Sequence, residues 1–343
     1  MGKKSVTQKQ IAEELGLARI TVSKTFNNPE MVKPETRLKV INKASEMGYR
    51  FSADISHLAP KVGARNDKCV LMIGNEDFFH NSFWVSVTQG LGEVLKENSV
   101  GLTLALVNEE NEQKNQMPAE ILNGRYDGVV LMGVYQSGYY RAVAKTGLPM
   151  VCMDITPELY NENRVCDILL ADNVSGMYNI INTLTQKGYR EFSFIGSINV
   201  TQSFHERWQG YCIALLNAGI SVNPEAQAIN GEKNDFYRIG FIEAALSSFC
   251  QKPEVVVCQN DVTAFITRQI KEQGHPLLTD ETIIVGFDNM PEFTRNIKPL
   301  YTVENYPKKM GWAAADMILW RMENPGCIFR VVKTPVLPIF EPE

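Results

Sequence analysis

Apolar positions along the first fifty residues recur at helical spacing. Thr7 and Gln10 form a capping box, a hydroxyl N-cap with an amide at the third helical position. Ile11, Ala12 and Leu15 follow on one face, and Gly16 ends that helix. A second helix is predicted from Ala18 to Phe26, with Val22 and Phe26 four apart and Asn27-Asn28-Pro29 closing it. Pro34 suits a first helical position, and a third helix is predicted to about Met47, burying Val40, Ile41 and Ala44 before Gly48. Three short helices with a tight turn at Gly16 predict a helix-turn-helix module.

After Lys68 the period changes. Apolar runs predict strands at 70–73, 102–107, 128–132, 150–153, 168–171, 192–195, 255–258 and 283–285. Helical stretches lie between them at 83–98, 115–122, 174–187, 206–218, 235–249, 261–273 and 308–323. Continuous apolar strands alternating with helices predict an α/β body of parallel sheets covered on both faces. The 275 residues after Lys68 exceed what one small sheet needs. Two lobes and a single closed (β/α)₈ barrel both satisfy that pattern.

Composition is ordinary for a globular chain, 44% hydrophobic and 21% charged, which excludes a disordered chain, a collagen and a coiled-coil rod. The net charge of -5 argues mildly against a nucleic-acid partner, but it is an average over unlike parts. Residues 1–68 carry 13 Lys/Arg against 7 Asp/Glu, and residues 69–343 carry 21 against 32. A small basic module is thus joined to a large acidic body, which points to a nucleic-acid or membrane partner for the basic end. No apolar signal core follows Lys3-Lys4, and no run of about 18 apolar residues occurs. The seven cysteines are scattered without a Cys-x-x-Cys, so reduced thiols in a cytoplasmic protein are expected, with no metal.

Val6-Thr7-Gln8-Lys9-Gln10-Ile11-Ala12, then Thr21-Val22-Ser23-Lys24-Thr25-Phe26-Asn27, then Thr36-Arg37-Leu38-Lys39-Val40 and Met47-Gly48-Tyr49 resemble the DNA-binding headpiece of the lactose/galactose repressor (LacI/GalR) family of bacterial transcription regulators. A recognition helix lays its N-terminal side chains on base edges in the major groove. Arg19, Ile20 and Lys24 are the exposed candidates: Arg19 for a bidentate guanine contact, Ile20 for a thymine methyl. Thr7, Thr21, Ser23 and Asn27 suit phosphate contacts, which position without reading sequence. The resemblance also implies a hinge whose leucine wedges into the minor groove, and Leu58 in Ile55-Ser56-His57-Leu58-Ala59 stands at that place. Phe51, Ser52, Asp54 and Ile55 depart from the usual hinge pattern.

In the body the resemblance continues through Tyr126-Asp127-Gly128, Ala171-Asp172-Asn173, Gly188-Tyr189-Arg190, Glu206-Arg207, Gln259-Asn260-Asp261 and Val285-Gly286-Phe287-Asp288-Asn289. It implies an all-α headpiece on a two-lobed core like that of periplasmic binding proteins, with parallel sheets flanked by helices. The implied division is 1–50 for the headpiece, 51–68 for the hinge, 69–171 with 303–331 for one lobe, and 172–302 with 332–343 for the other.

No phosphate-binding, dinucleotide or nucleophile-elbow motif occurs, and the four histidines lack metal-ligand spacing, so the body is not expected to be an enzyme and no cofactor is expected. Ligands of open parallel sheets bind beyond the carboxyl ends of strands. Phe78, Phe79, Trp84, Tyr135, Asp154, Arg207, Asn260 and Asp288 fall there, offering charged and amide groups for hydroxyls and aromatic faces for a ring. Arg207 and Asp288 match effector-contacting positions of the family. Asn260 and Asp288 could equally cap adjoining helices, and each aromatic could be core. Lys233 or Phe236 stands where the family places a further aromatic. The expected whole is a homodimeric repressor of a pseudo-palindromic operator, controlled by a small effector, most simply a sugar, between two lobes. Control by a phosphocarrier-type protein partner, or a binding protein or enzyme with a vestigial headpiece, are the competing readings.

Overall fold

A computed structural model describes residues 7–27, 32–33, 36, 39–40, 43, 68–75, 82–122, 125–162, 164–232, 234–295 and 297–341. The elements are α1 (Gln8–Leu15), α2 (Arg19–Asn27), β1 (Cys69–Asn75), α3 (Ser82–Glu97), β2 (Gly101–Val107), α4 (Glu109–Gln113), α5 (Ala119–Leu122), β3 (Gly128–Met132), α6 (Ser137–Ala144), β4 (Met150–Met153), α7 (Pro157–Asn161) and β5 (Asp167–Ala171). There follow α8 (Asn173–Gln186), β6 (Phe192–Ile195), α9 (Gln202–Asn217), β7 (Gln227–Ala228), α10 (Ile239–Ser247), β8 (Val255–Cys258), α11 (Asp261–Glu272), β9 (Ile283–Val285), α12 (Pro291–Thr294), β10 (Leu300–Glu304), α13 (Pro307–Glu323), β11 (Val331–Thr334) and β12 (Leu337–Glu341).

The strands form two six-stranded sheets, ordered β11-β5-β4-β3-β1-β2 and β12-β10-β9-β8-β6-β7. Two open sheets exclude the closed barrel. Pairing is parallel for β1–β2, β1–β3, β5–β11, β6–β7, β6–β8, β8–β9 and β9–β10, and antiparallel for β10–β12. By contacts the chain divides into two compact units. One holds the described residues of Met1–Phe78 with Gly92–Val151 and Asp316–Ile328. The other holds those of Phe79–Leu91, Cys152–Ala315 and Phe329–Glu343.

At the N-terminus, Thr7 and Gln10 complete the capping box, and Gly16 ends α1 in the left-handed region at φ 61°. Ile11 and Val22 are fully buried. Thr36, Lys39, Val40 and Lys43 are helical, but most of the predicted third helix, with Leu58, Phe78 and Phe79, lies outside the described residues.

In the second unit the period-two rule sorts the sheet residues. Val255, Val257, Ile283 and Val285 face α8 and α9 with Met177, Ile180, Tyr211 and Leu215. Val256, Cys258 and Ile284 face the other way, toward Ile242, Leu246, Ala264 and Ile270. Each such fully buried aliphatic contributes about 1.5–3 kcal/mol. Helices α8 and α9 approach closely because Gly210 has no side chain: a Cβ there would stand 2.4 Å from the Val174 carbonyl oxygen.

Several expectations shift. Of the predicted helix over 115–122 only its second half forms, as α5; α4 ends before it, with Asn115 at φ 54° and Pro118 between the two. The helix over 206–218 begins earlier, at Gln202, because Thr201 caps it through the Phe204 N–H. Residues 235–249 divide into a single turn at Asp235–Tyr237 and α10. Leu300–Glu304 belongs wholly to the second sheet and Val331–Thr334 to the first, so the chain changes sheet after Glu304 and again after Thr334.

Candidate functional site

Three turns of the second unit bring charged side chains to one place. The first is the start of α8, where Asp172 accepts from the Ser175 N–H and leaves Asn173 as the first helical residue, fully buried. The second is the start of α9, whose first turns carry Glu206 and Arg207, both nearly buried. The third is the turn after β9, where Asp288 and Asn289 take φ of 101° and 49°. Such backbone is costly outside glycine and persists only where surrounding contacts fix it.

Asp261 supplies that fixing. Its carboxylate accepts from the Met290 N–H (2.9 Å) and the Thr302 hydroxyl (2.8 Å), and its own N–H donates to the Phe287 carbonyl (2.9 Å). Gly286 makes room for it, since a Cβ there would lie 1.9 Å from Asp261 Oδ1. Burial, with Asp288 nearby, pushes the Asp261 carboxyl up to about 7.

Arg207 is held on three sides. Its Nε donates to Asn173 Oδ1 (3.0 Å), one terminal nitrogen to the Gln259 carbonyl (2.7 Å), and the other to Asp288 Oδ1 (2.8 Å). The guanidinium lies over the Phe287 ring, 3.8 Å from its centroid. Asn305 Nδ2 donates to the same Asp288 oxygen (2.9 Å). Burial raises the Asp288 carboxyl above its ordinary range, and Arg207 opposes that rise. Asp154, at φ 69° after β4, accepts from the Ile155 and Ser203 N–H groups and is likewise raised by burial. Tyr237 receives a hydrogen bond from Asn260 Nδ2 (3.2 Å), and burial raises its hydroxyl too, with Asp288, Arg207 and Asp154 all acting on it electrostatically.

Of the predicted site residues, Asp154, Arg207, Asn260 and Asp288 therefore gather in one electrostatic neighbourhood. Asn260 fills the capping role considered for it, Oδ1 accepting from the Thr263 N–H at the start of α11, while its Nδ2 donates to Tyr237. Asp288 pairs with Arg207 and Asn305, not with a helix end. Tyr135 is buried, stacked on Tyr139, with its hydroxyl given to the Ile73 and Met132 carbonyls, which is the bonding of a packing residue. Trp84 is half-buried on α3 with Phe83 edge-on to it. Phe236 is core, and the ring that joins the polar cluster is its neighbour Tyr237. Asn173, Tyr237, Gln259 and Asn305 were missed. Asn173 carried a signal, because it sits inside the Ala171-Asp172-Asn173 block.

On the headpiece, Arg19 and Ile20 are exposed, Ile20 at 64%, while Thr21, Ser23 and Lys24 are half-buried. The Thr7 hydroxyl is engaged with Gln10 in the cap. The Asn27 side chain lies outside the described residues. Among the described residues no group of three or more His, Cys, Asp or Glu is placed to hold a metal, and no helix is long and apolar enough to cross a membrane.

A guanidinium fixed by side-chain and main-chain acceptors, with carboxylates, amides and a phenol around it, stands at the centre of this polar cluster on an α/β scaffold. The chain belongs to the family described as periplasmic binding proteins and sugar binding domain of LacI family, whose model matches residues 67–336. With the N-terminal headpiece it is a member of the LacI/GalR group. It is 25% identical over 324 residues to the HTH-type transcriptional repressor PurR of Photobacterium profundum, covering 93% of this chain and 92% of that protein. It is 25% identical over 330 residues to the ribose operon repressor of Haemophilus influenzae, covering 95% of each. Its fold matches a transcriptional regulator CelR–cellobiose complex at TM-score 0.68 and 20% identity, covering 98% of this chain and 100% of that one.

Proposed function

We propose that this chain is a sequence-specific DNA-binding regulator, a repressor acting as a homodimer in the cytoplasm, whose operator affinity is set by a small polyhydroxylated effector bound at the Arg207–Asp288 cluster. The observation that carries the ligand reading is the bonding of Arg207. Three acceptors fix its plane, so its remaining N–H donors are pre-aimed, and preorganised groups bind without a fresh ordering cost. Asp288 Oδ1 takes both protein donors, which leaves Oδ2 to accept from a ligand hydroxyl. A donor and an acceptor side by side suit vicinal hydroxyls, and charge-assisted bonds of this kind are the stronger ones. The names of the ribose operon repressor and the cellobiose complex support a sugar. The exposed Arg19 and Ile20 at the start of α2 support base reading.

A thermal-shift panel of pentoses, hexoses and disaccharides, with ribose and cellobiose included, tests the reading. A ligand at about 100 times its Kd adds about 2.7 kcal/mol of stability, a readily measured shift. At least one sugar should stabilise the protein and change its affinity for DNA fragments recovered by genomic footprinting. An Arg207→Ala variant that is folded and still responds fully would overturn the site assignment.

A further inference from the structure

Glu206 stands next to Arg207 on α9 and is at least as deeply buried, yet it points its charge elsewhere. Its Oε1 accepts from Lys333 Nζ (2.9 Å) and Gln202 Nε2 (3.2 Å), and its Oε2 from Asn173 Nδ2 (3.5 Å). Lys333 is on β11, and the next residue, Thr334, accepts from the Asp172 N–H that leads into Asn173. Asn173 has two ends. Its Nδ2 donates to the Ala171 carbonyl (3.0 Å) and to Glu206, and its Oδ1 is thereby turned to Arg207 Nε. An amide has no intrinsic preference for which end faces a neighbour, so acceptors on the Nδ2 side decide it.

Resting on the ligand-site reading above, we propose that Glu206 and Lys333 are positioning residues for Arg207: the ion pair holds Asn173 in the orientation that fixes the guanidinium, and it ties that guanidinium to β11. Two features make this more than a surface contact. The Glu206 side chain is only 3% exposed against 35% for Lys333, so the carboxylate depends on its protein partners while the ammonium can rehydrate. Removing one member of a buried pair leaves the other uncompensated. Without Lys333, Glu206 keeps only the neutral amides of Gln202 (3.2 Å) and Asn173 (3.5 Å), and the uncompensated charge would draw the Asn173 amide from its present bond to the Ala171 carbonyl. The pair also joins the last strand before the chain leaves the first sheet to the helix that carries the ligand-binding arginine.

The test is the solvent-exchange rate of the Arg207 Nε proton in the full-length, ligand-free protein, read by NMR with arginine-selective labelling and assigned by its loss in Arg207→Lys. Lys333→Met should speed that exchange about tenfold, the loss of one charge-assisted hydrogen bond. Lys333→Met combined with Glu206→Gln should restore the original rate, because a neutral Gln needs no countercharge and its oxygen still accepts from Asn173. A rate unchanged in folded Lys333→Met, or a double variant as fast as the single, overturns the proposal. Should Lys333→Met fail to fold, Glu206→Ala takes its place and must show the same rise. No ligand enters this readout. A negative sugar panel would therefore count against the effector reading, and an unchanged exchange rate against the positioning role.

Discussion

Replacing Arg207 with Met asks how much the buried pair with Asp288 contributes to folding. The side chains are 5% and 12% exposed, so solvent does little to screen them. Met keeps most of the contact with Phe287 and Phe204 but removes the charge and three donors. Asn173 Oδ1 and the Gln259 carbonyl lose their partner, and Asp288 keeps only Asn305. Breaking a buried ion pair at one end costs about 3–5 kcal/mol. That is a large part of the roughly 5–15 kcal/mol by which a domain is stable.

The same variant should change the pH dependence. Burial already lifts the Asp288 carboxyl, and Arg207 is the main influence pulling it down. Without Arg207 the folded-state value rises further above the unfolded one, near 3.9. A raised folded value adds stability that is complete below the unfolded value and is lost as pH climbs through the folded one. The deficit of Arg207→Met against the wild type should therefore shrink on acidification from pH about 7 to about 5. Urea unfolding followed by fluorescence and circular dichroism at several pH values measures this. Arg207→Met with Asp288→Asn should recover part of the loss, because no charge is left unpaired. A deficit under about 1 kcal/mol, the size of an exposed pair, or one that ignores pH, would refute the reasoning.

Three further outcomes follow from the same geometry. Asp261 titrates near pH 7 in the folded protein, so wild-type stability should fall as pH rises through about 7, and Asp261→Asn should flatten that slope. Gly210→Ala forces a methyl onto the Val174 carbonyl and should lower stability by about 1–3 kcal/mol in the same assay. Arg19→Ala, compared with wild type on DNA selected from a randomised pool, should relax preference at one base pair per half-site by about 1–3 kcal/mol and leave the others intact.

How far the sequence carried the reading depends on which bonds each feature needs. The strands Val255–Cys258 and Ile283–Val285 were legible because burial on both faces demands an unbroken apolar run. Strands β11 and β12 were not, because each lies at the edge of its sheet, where polar positions are tolerated and Pro338 can stand within the ladder. Missing Leu300–Glu304 hid Asn305 as well, since its place is defined only by the end of that strand. Arg207 and Asp288 could be named from the resemblance, but their dependence on Asp261, Asn173 and Glu206 could not. Those residues lie 27, 34 and 1 positions from the group each supports, and only the fold selects them from other polar residues at similar distances. Asp261 shows the physical reason. Its position beside Asn260 reads as an ordinary acidic first turn of a helix, which is stabilising by the dipole alone. What sets it apart is that Gly286 leaves a space the width of one carboxylate oxygen, and that the carboxylate fastens the residue just after two that stand in left-handed backbone, through the Met290 N–H. A site of this kind is thus written partly in the residues that bind and partly in the absence of a side chain one strand away.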